Sequence, residues 1–324
     1  MLLTVTFLAH AKAPPPPGWS AWLSYWDLGN VPSEIALLGD ALDEVGLFAA
    51  YFDRDDRLFV PDELLLFLEE NQQTSLADKS VCLTIVNDVQ LDANHSLLKD
   101  RPLLARLMLD GASQARHAED IVRLAKTLRV DGIQLDYENL GTDTALWKAY
   151  AQFIAVMQAR AQAEGIRLQV VLEPSALERV TFPDGPAYIV MFYNLFGAHS
   201  GPGPKADVRF IQTLALRAIK NLPSLPAAAF ATGGFLWDSQ SVRALRETDA
   251  VNWLEDANAI PQRDANSGAL YHQGVKDGRP YELWFADAQT IRRWQEAASN
   301  AGIPSFYLWL LGGNEPQTLT SLSQ

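Results

Sequence analysis

The strongest chemical signal in this 324-residue chain is a stretch in which acids and an amide alternate with apolar residues, residues 131–140, with the sequence DGIQLDYENL. Successive side chains of a β-strand point to opposite faces. One face then carries Ile133, Leu135 and Tyr137. The other face carries Gly132, Gln134, Asp136 and Glu138. Carboxylic acids on an enclosed face are costly unless they bond to each other or to a ligand, so the pattern predicts a functional site here.

The two acids of this face have the spacing that proton-transfer chemistry requires. Asp136 and Glu138 are roughly 6–7 Å apart along an extended strand. Like charges at this separation raise the pKa of one partner, which makes it a usable general acid near neutral pH. Glu138 has the longer side chain and ends the strand. We therefore expect Glu138 to protonate a leaving oxygen.

The elements that must position these acids are predicted from apolar periodicity. Eight short apolar runs predict strands, at residues 22–26, 46–52, 81–87, 132–137, 168–173, 188–193, 227–235 and 305–310. Helical patterns lie between several of them, at residues 116–128, 147–163 and 288–301, the last with Asp287 as N-cap. Repeated βα units of this number predict an α/β (β/α)8 TIM barrel, whose active sites lie at the C-terminal ends of the strands. The doubly wound alternative is disfavoured because no glycine-rich turn follows the first strand.

Two segments fall outside the repeated βα pattern. Residues 249–279 predict a small insertion, such as a hairpin, between the seventh strand and the last helix. Residues 1–18 combine a short apolar run with four prolines, and they predict either the remnant of an export signal or a disordered tail ahead of a barrel at residues 19–324. The signal interpretation predicts a periplasmic or extracellular protein.

Composition excludes several classes of function. The formal net charge of −13 disfavours nucleic acids and anionic membrane surfaces as partners, and no apolar run is long enough to span a bilayer. Cys82 is the single cysteine, and the five histidines show no i, i+4 pair. We therefore expect no metal and no cofactor. A neutral polysaccharide or oligosaccharide fits this composition, and we expect a monomer.

The stretch from Asp131 to Glu138 resembles the signature of glycoside hydrolase family 18, D-G-x-D-x-D-x-E, on the fourth strand of a TIM barrel. Further matches follow in chain order. They are Met191-Phe192-Tyr193-Asn194 for M-x-Y-D, Gly234-Phe235 with Trp237 for the strand-seven region, and Trp309-Leu310-Leu311-Gly312 for W-x-L-G. The segment from Ser200 to Pro204 resembles the branch that acts on spore cortex and peptidoglycan.

The resemblance implies a retaining glycosidase for β-linked N-acetylglucosamine polymers, in which the 2-acetamido group of the substrate is the nucleophile. It implies that Glu138 is the general acid/base, that Asp136 orients the acetamido group and that Tyr193 donates a hydrogen bond to its oxygen. Trp309 would form the floor under the sugar. Tyr25 and Trp237 are further candidates for sugar binding, and Asn87 and Glu173 end two strands at the same side of the barrel.

Two residues depart from the family pattern, because Gln134 and Asn194 stand where acids are usual. We expect both to contact substrate, with the Gln134 amide bonded to Asp136 and with Asp136 ionising more readily beside a neutral neighbour. The departures keep a second hypothesis open, a catalytically silent carbohydrate-binding barrel. A third hypothesis is a barrel hydrolase of another specificity.

Overall fold

The structure is a computed structural model that describes residues 18–92 and 95–324. Its strands are β1 (Trp19–Ser24), β2 (Leu42–Asp53), β3 (Leu58–Phe59), β4 (Ser80–Asp92), β5 (His95–Leu97), β6 (Gly132–Asp136), β7 (Arg167–Leu172), β8 (Ala187–Met191), β9 (Ala227–Ala231), β10 (Gly233–Asp238), β11 (Val242–Leu245), β12 (Gln262–Arg263), β13 (Leu270–Lys276), β14 (Arg279–Ala286) and β15 (Ser305–Trp309). Apart from Gly18, the tail predicted for residues 1–18 lies outside the described residues.

The helices alternate with the strands. They are α1 (Val31–Leu38), α2 (Asp62–Asn71), α3 (Arg101–Leu107), α4 (Gly111–Leu128), α5 (Thr144–Ala163), α6 (Val208–Asn221), α7 (Glu247–Asp256), α8 (Ala288–Asn300) and α9 (Pro316–Leu322). Asp287 caps α8, since its carboxylate accepts the Thr290 amide at 3.0 Å, and this confirms the predicted N-cap. None of the helices in the described ranges is long and apolar enough to cross a membrane.

Eight parallel strands close into the predicted barrel, in the order β1-β2-β4-β6-β7-β8-β9-β15 and back to β1. The helices cover its outer face, where the larger hydrophobic core lies. A smaller apolar cluster, which includes Trp22, Met191 and Tyr307, fills part of the inside. The barrel therefore brings the C-terminal ends of all eight strands to one rim, and the stretch that contains Asp136 and Glu138 ends at that rim.

The insertion is larger than the sequence predicted. It begins at Gly233, ends at Ala286 and forms a second, five-stranded antiparallel sheet in the order β11-β10-β14-β13-β12, with α7 packed on it. Its place between the seventh strand and the last helix is as predicted, but the bounds 249–279 were too narrow because the run at residues 227–235 is two strands. Gly233 turns the chain with φ +61°, and a Cβ there would lie 2.4 Å from the Leu245 carbonyl oxygen.

Candidate active site

The strand β6 separates its side chains as the alternation predicts. Ile133 and Leu135 are fully buried in the core under the helices. Tyr137 joins them there, and its hydroxyl bonds to His117 of α4 at 2.6 Å. Gln134 and Asp136 point into the barrel. The apolar face therefore anchors the strand, and the polar face is presented to the interior.

Gln134 does not reach the site predicted for it. Its side chain is fully buried one layer below the rim, where its Oε1 accepts hydrogen bonds from Trp22 Nε1 and Thr84 Oγ1, both at 2.7 Å. Its Nε2 donates to Gln169 Oε1 at 2.7 Å and to Glu44 Oε1 at 3.4 Å. Because this lower network takes up the whole amide, the structure gives no support to the expected contacts with Asp136 and with substrate.

The lower network is closed by further partners. Gln169 Nε2 donates to Glu44 Oε1 at 3.0 Å, and the Tyr307 hydroxyl donates to the same oxygen at 2.5 Å. Arg167 forms an ion pair with Glu44 at 2.9 Å and balances its charge. Gln134, Gln169 and Glu44 therefore form a satisfied polar layer that supports the rim from below.

Asp136 differs from Gln134 although it lies on the same strand face. It is 6% exposed, and its Oδ1 has no hydrogen-bond partner among the described residues. Burial, with the Glu138 charge as a second cause, raises the pKa of Asp136 well above its ordinary value. The expectation that Asp136 ionises more readily beside the neutral Gln134 than it would beside an acid stays a prediction, because the causes of the raised pKa are burial and Glu138. Its free oxygen is an acceptor available for a ligand N–H.

Glu138 is held at the rim by its backbone and its side chain. Its amide donates to Asn87 Oδ1 at 2.9 Å, and its carbonyl accepts from Asn87 Nδ2 at 3.1 Å. Its Oε2 pairs with Lys99 Nζ at 2.6 Å. Burial raises the pKa of Glu138 to about 6; Lys99 opposes this rise and Glu173 adds to it. Such a carboxyl exchanges a proton readily near neutral pH.

Asp136 and Glu138 line a cavity of about 860 Å³ at the C-terminal rim. Its other lining residues include the predicted Tyr193, Asn194, Trp309 and Tyr25. Aromatic rings continue from Trp309 along one wall, with Phe48 at 4.8 Å between ring centroids and Trp26 next to Phe48 at 5.9 Å. The cavity is therefore polar at the acids and flat and apolar along that wall, which suits sugar rings.

Tyr193 and Asn194 enter the cavity from the residues after β8. Tyr193 is 9% exposed, and burial beside the carboxyl groups raises its pKa well above the ordinary value, so the phenol stays a hydrogen-bond donor. Asn194 has φ +69°, a left-handed conformation that asparagine tolerates better than most residues.

Trp237 is outside this cavity. It lies in β10 of the insertion, is 7% exposed, and donates its ring N–H to the Ser200 carbonyl at 3.2 Å. Its ring packs on Phe235 at 5.6 Å between centroids. The prediction that Trp237 contacts sugar therefore has no support from its position, since its ring and its N–H hold the loop after β8.

The sequence did not predict that two charged residues, Lys99 and Glu173, lie next to Glu138 in the site. Lys99 follows β5, and no sequence pattern indicates that this lysine meets Glu138. Glu173 is indicated by the sequence only as the end of a strand; its carboxylate accepts the Asn139 amide at 3.1 Å and raises the pKa of Glu138. Within the described residues, no group of three or more His, Cys, Asp and Glu side chains is arranged to hold a metal ion.

The fold is that of several solved hydrolase structures. The spore cortex-lytic enzyme SleL from Bacillus cereus matches with a TM-score of 0.79 at 19% identity, over 99% of this chain and 77% of that chain. A class V chitinase from Pseudomonas fluorescens matches with a TM-score of 0.77 at 18% identity, over 94% and 98%. A class V chitinase from Nicotiana tobaccum, a mutant in complex with NAG4, matches with a TM-score of 0.75 at 13% identity, over 95% and 98%.

These matches confirm the chitinase-like TIM barrel, and they confirm at the level of the fold the resemblance to glycoside hydrolase family 18. No protein-family model matches the chain. No curated protein matches it either.

Proposed function

We propose that this protein is a retaining glycosidase that hydrolyses β-linked glycans containing N-acetylglucosamine, such as peptidoglycan or chitin-like chains. One observation carries the proposal. A buried carboxyl with a pKa of about 6, Glu138, lies beside a buried acid with a free oxygen, Asp136, at the end of an aromatic-walled cavity. These are the groups needed to protonate a glycosidic oxygen and to hold an acetamido group.

In the proposed reaction, protonated Glu138 gives its proton to the glycosidic oxygen. The bond from that oxygen to the anomeric carbon breaks while the acetamido oxygen of the same sugar forms a bond to that carbon. Water then attacks the anomeric carbon of the resulting oxazolinium, and the Glu138 carboxylate takes a proton from this water. The two displacements together retain the anomeric configuration.

The remaining cavity residues serve the acetamido group and the sugar ring. Asp136 Oδ1 accepts the acetamido N–H, and the Tyr193 phenol donates to the acetamido oxygen as charge develops. Trp309 lies under the sugar ring, and Tyr25 and Asn194 contact neighbouring parts of the glycan. Gln134 serves the barrel through the lower network.

The comparisons support the choice of glycan. The proteins with this fold include an enzyme named for spore cortex lysis and class V chitinases, one of them in complex with NAG4. Because these glycans lie outside the cytoplasm, we include export in the proposal, together with a monomeric state. Cell fractionation of the native protein and size-exclusion chromatography with light scattering test these two points.

The substitution Glu138→Gln tests the central assignment. Chitin oligomers and purified peptidoglycan are incubated with each variant, and the products are identified by mass spectrometry. We expect the rate to fall by about 10²-fold or more because the amide supplies no proton, while oligomer binding persists. Glu69→Gln, the same change at an exposed position on α2, should keep full activity. Full activity of Glu138→Gln would reject the assignment.

The same assay separates the two other hypotheses. The ion pair between Lys99 and Glu138, together with the departures at Gln134 and Asn194, is the observation that favours a silent carbohydrate-binding barrel. Oligomer binding by the unmodified protein without any product would establish that alternative. Efficient cleavage of a glycan that lacks the 2-acetamido group would indicate a hydrolase of another specificity.

A further inference from the structure

Lys99 is placed by its backbone in a conformation that lysine rarely adopts. Its φ is +53°, in the left-handed region, where a residue with a Cβ pays an energetic cost. Its amide donates to Asp88 Oδ1 at 2.7 Å, and its carbonyl accepts from Asn139 Nδ2 at 3.2 Å. These contacts fix the loop after β5 so that the Lys99 ammonium reaches the Glu138 carboxylate at 2.6 Å.

Glu173 is fixed against Glu138 from another element. It follows β7, and its Oε2 accepts the backbone amide of Asn139 at 3.1 Å. That amide belongs to the residue next to Glu138, and the nearby Glu173 carboxylate raises the pKa of Glu138. Asn139, the residue directly after Glu138, therefore binds both the Lys99 backbone and the Glu173 side chain. Three separate elements are held together at this one carboxyl.

Lys99 and Glu173 have opposite charges, so each of them stabilises a different protonation state of Glu138. An ammonium favours the ionised carboxyl, and a second carboxylate favours the protonated one. Other groups also face this cluster. Asp136 lies below on β6, Asp88 lies behind Lys99 on β4, and the Tyr193 phenol approaches from the end of β8.

We propose that Lys99 and Glu173 are a matched pair of positioning residues for Glu138. Glu173 keeps the proton on Glu138 before the glycosidic bond breaks, and Lys99 stabilises the carboxylate that remains after the proton has moved to the leaving oxygen. This inference rests on the proposed function of Glu138 as acid/base. In the second half-reaction the carboxylate takes a proton from the attacking water, which restores the protonated state that Glu173 favours.

The test compares two variants whose effects should have opposite signs. The dependence of kcat/KM on pH is measured with a chitin oligomer for the unmodified protein, Lys99→Met and Glu173→Gln. The descending limb at high pH reports loss of the Glu138 proton. It should move to higher pH by roughly one unit or more in Lys99→Met. In Glu173→Gln it should move to lower pH, and Lys99→Arg should stay close to the unmodified profile.

A merely structural role predicts a different pattern. Loss of packing or of fold would lower the rate at every pH and would leave the limb in place. Shifts in the same direction, or no shift in either variant, would overturn the inference.

A second measurement does not depend on turnover. The carboxyl carbon of Glu138 is followed by NMR in protein labelled with ¹³C at glutamate carboxyls, and Glu138→Gln identifies the signal. Opposite displacements of its titration midpoint in Lys99→Met and Glu173→Gln support the pairing; equal or absent displacements overturn it. If the unmodified protein cleaves no glycan, the proposed function fails, and this titration still decides whether the two residues act on Glu138 as inferred.

Discussion

Gln134 and Asp136 lie two residues apart on β6 and face the same interior, yet their surroundings differ in kind. Gln134 has both ends of its amide bonded to protein partners. Asp136 is nearly as buried but keeps an oxygen without a partner among the described residues. A satisfied buried network contributes to a unique fold, whereas an unsatisfied buried acceptor is tolerated where a ligand will use it. The lower network therefore supports the barrel, and the layer above it carries the proposed chemistry.

Between these two layers, the largest expected effect comes from Asp136→Asn. Asp136 can give up its proton when positive charge develops on the oxazolinium, and an amide cannot become such a carboxylate, so kcat on a chitin oligomer should fall by about 10²-fold. The free energy of unfolding should not fall by more than about 1 kcal/mol, because the substitution removes a buried ionisable group that has an unpaired oxygen. Steady-state kinetics and urea denaturation measure the two quantities. If Asp136→Asn instead lost much stability and little kcat, Asp136 would be a structural residue and not a catalytic one.

Gln134→Leu should give the opposite result. It leaves the Trp22 ring N–H and the Thr84 hydroxyl without their acceptor, and each orphaned buried donor costs about 1–3 kcal/mol. We expect the free energy of unfolding to fall by about 2–5 kcal/mol, with a smaller effect on kcat for the folded protein than Asp136→Asn produces. Urea denaturation of both variants in one series provides the comparison. Unchanged stability would show that the lower network is not structural.

The sequence predicts those parts of the fold that depend on local patterns of residues, and it does not predict those that depend on contacts between distant residues. The barrel and the two faces of β6 were predictable, since apolar runs and strand alternation are local patterns. The start of the insertion was not, although Thr232-Gly233-Gly234 interrupts the apolar residues of 227–235. The close approach of the Leu245 carbonyl, which leaves no room for a Cβ at Gly233, comes from a residue outside this local pattern.

Only some residues of the candidate site were predictable, because the others are brought there by contacts between distant parts of the chain. Asp136, Glu138 and Tyr193 belong to local motifs. Lys99 meets Glu138 across 39 positions of sequence from the loop after β5, and Gln134 is bonded to side chains on four other barrel strands. Periodicity places a side chain on a face of a strand. It does not tell which layer of the barrel the side chain occupies or which distant charge it meets.

The stability of the protein should also depend on pH through Glu138, which lies at the rim above the lower network. The pKa of Glu138 rises from 4.5 to about 6 on folding, so its contribution to stability is present below pH 4.5 and is lost as the pH rises through 6. A shift of this size corresponds to a loss on the order of 2 kcal/mol. Glu138→Gln has no such group, so its stability relative to the unmodified protein should increase between pH 4 and pH 7. Urea denaturation across this range measures the difference, with Glu69→Gln as the exposed control. A constant difference would show that Glu138 is not perturbed by folding.

The smallest expected effect extends the comparison to two tryptophans. Trp237 has its ring N–H bonded to the Ser200 carbonyl, whereas Trp309 lines the cavity. Trp237→Phe removes one hydrogen bond and should lower the free energy of unfolding by about 1 kcal/mol, with no change in KM for a chitin oligomer. Trp309→Phe keeps an apolar ring of smaller area and should raise KM, because less surface is available to the sugar. Thermal denaturation and steady-state kinetics on the pair decide the assignment. An increase of KM in Trp237→Phe as large as in Trp309→Phe would move Trp237 from the supporting structure into the glycan-binding surface.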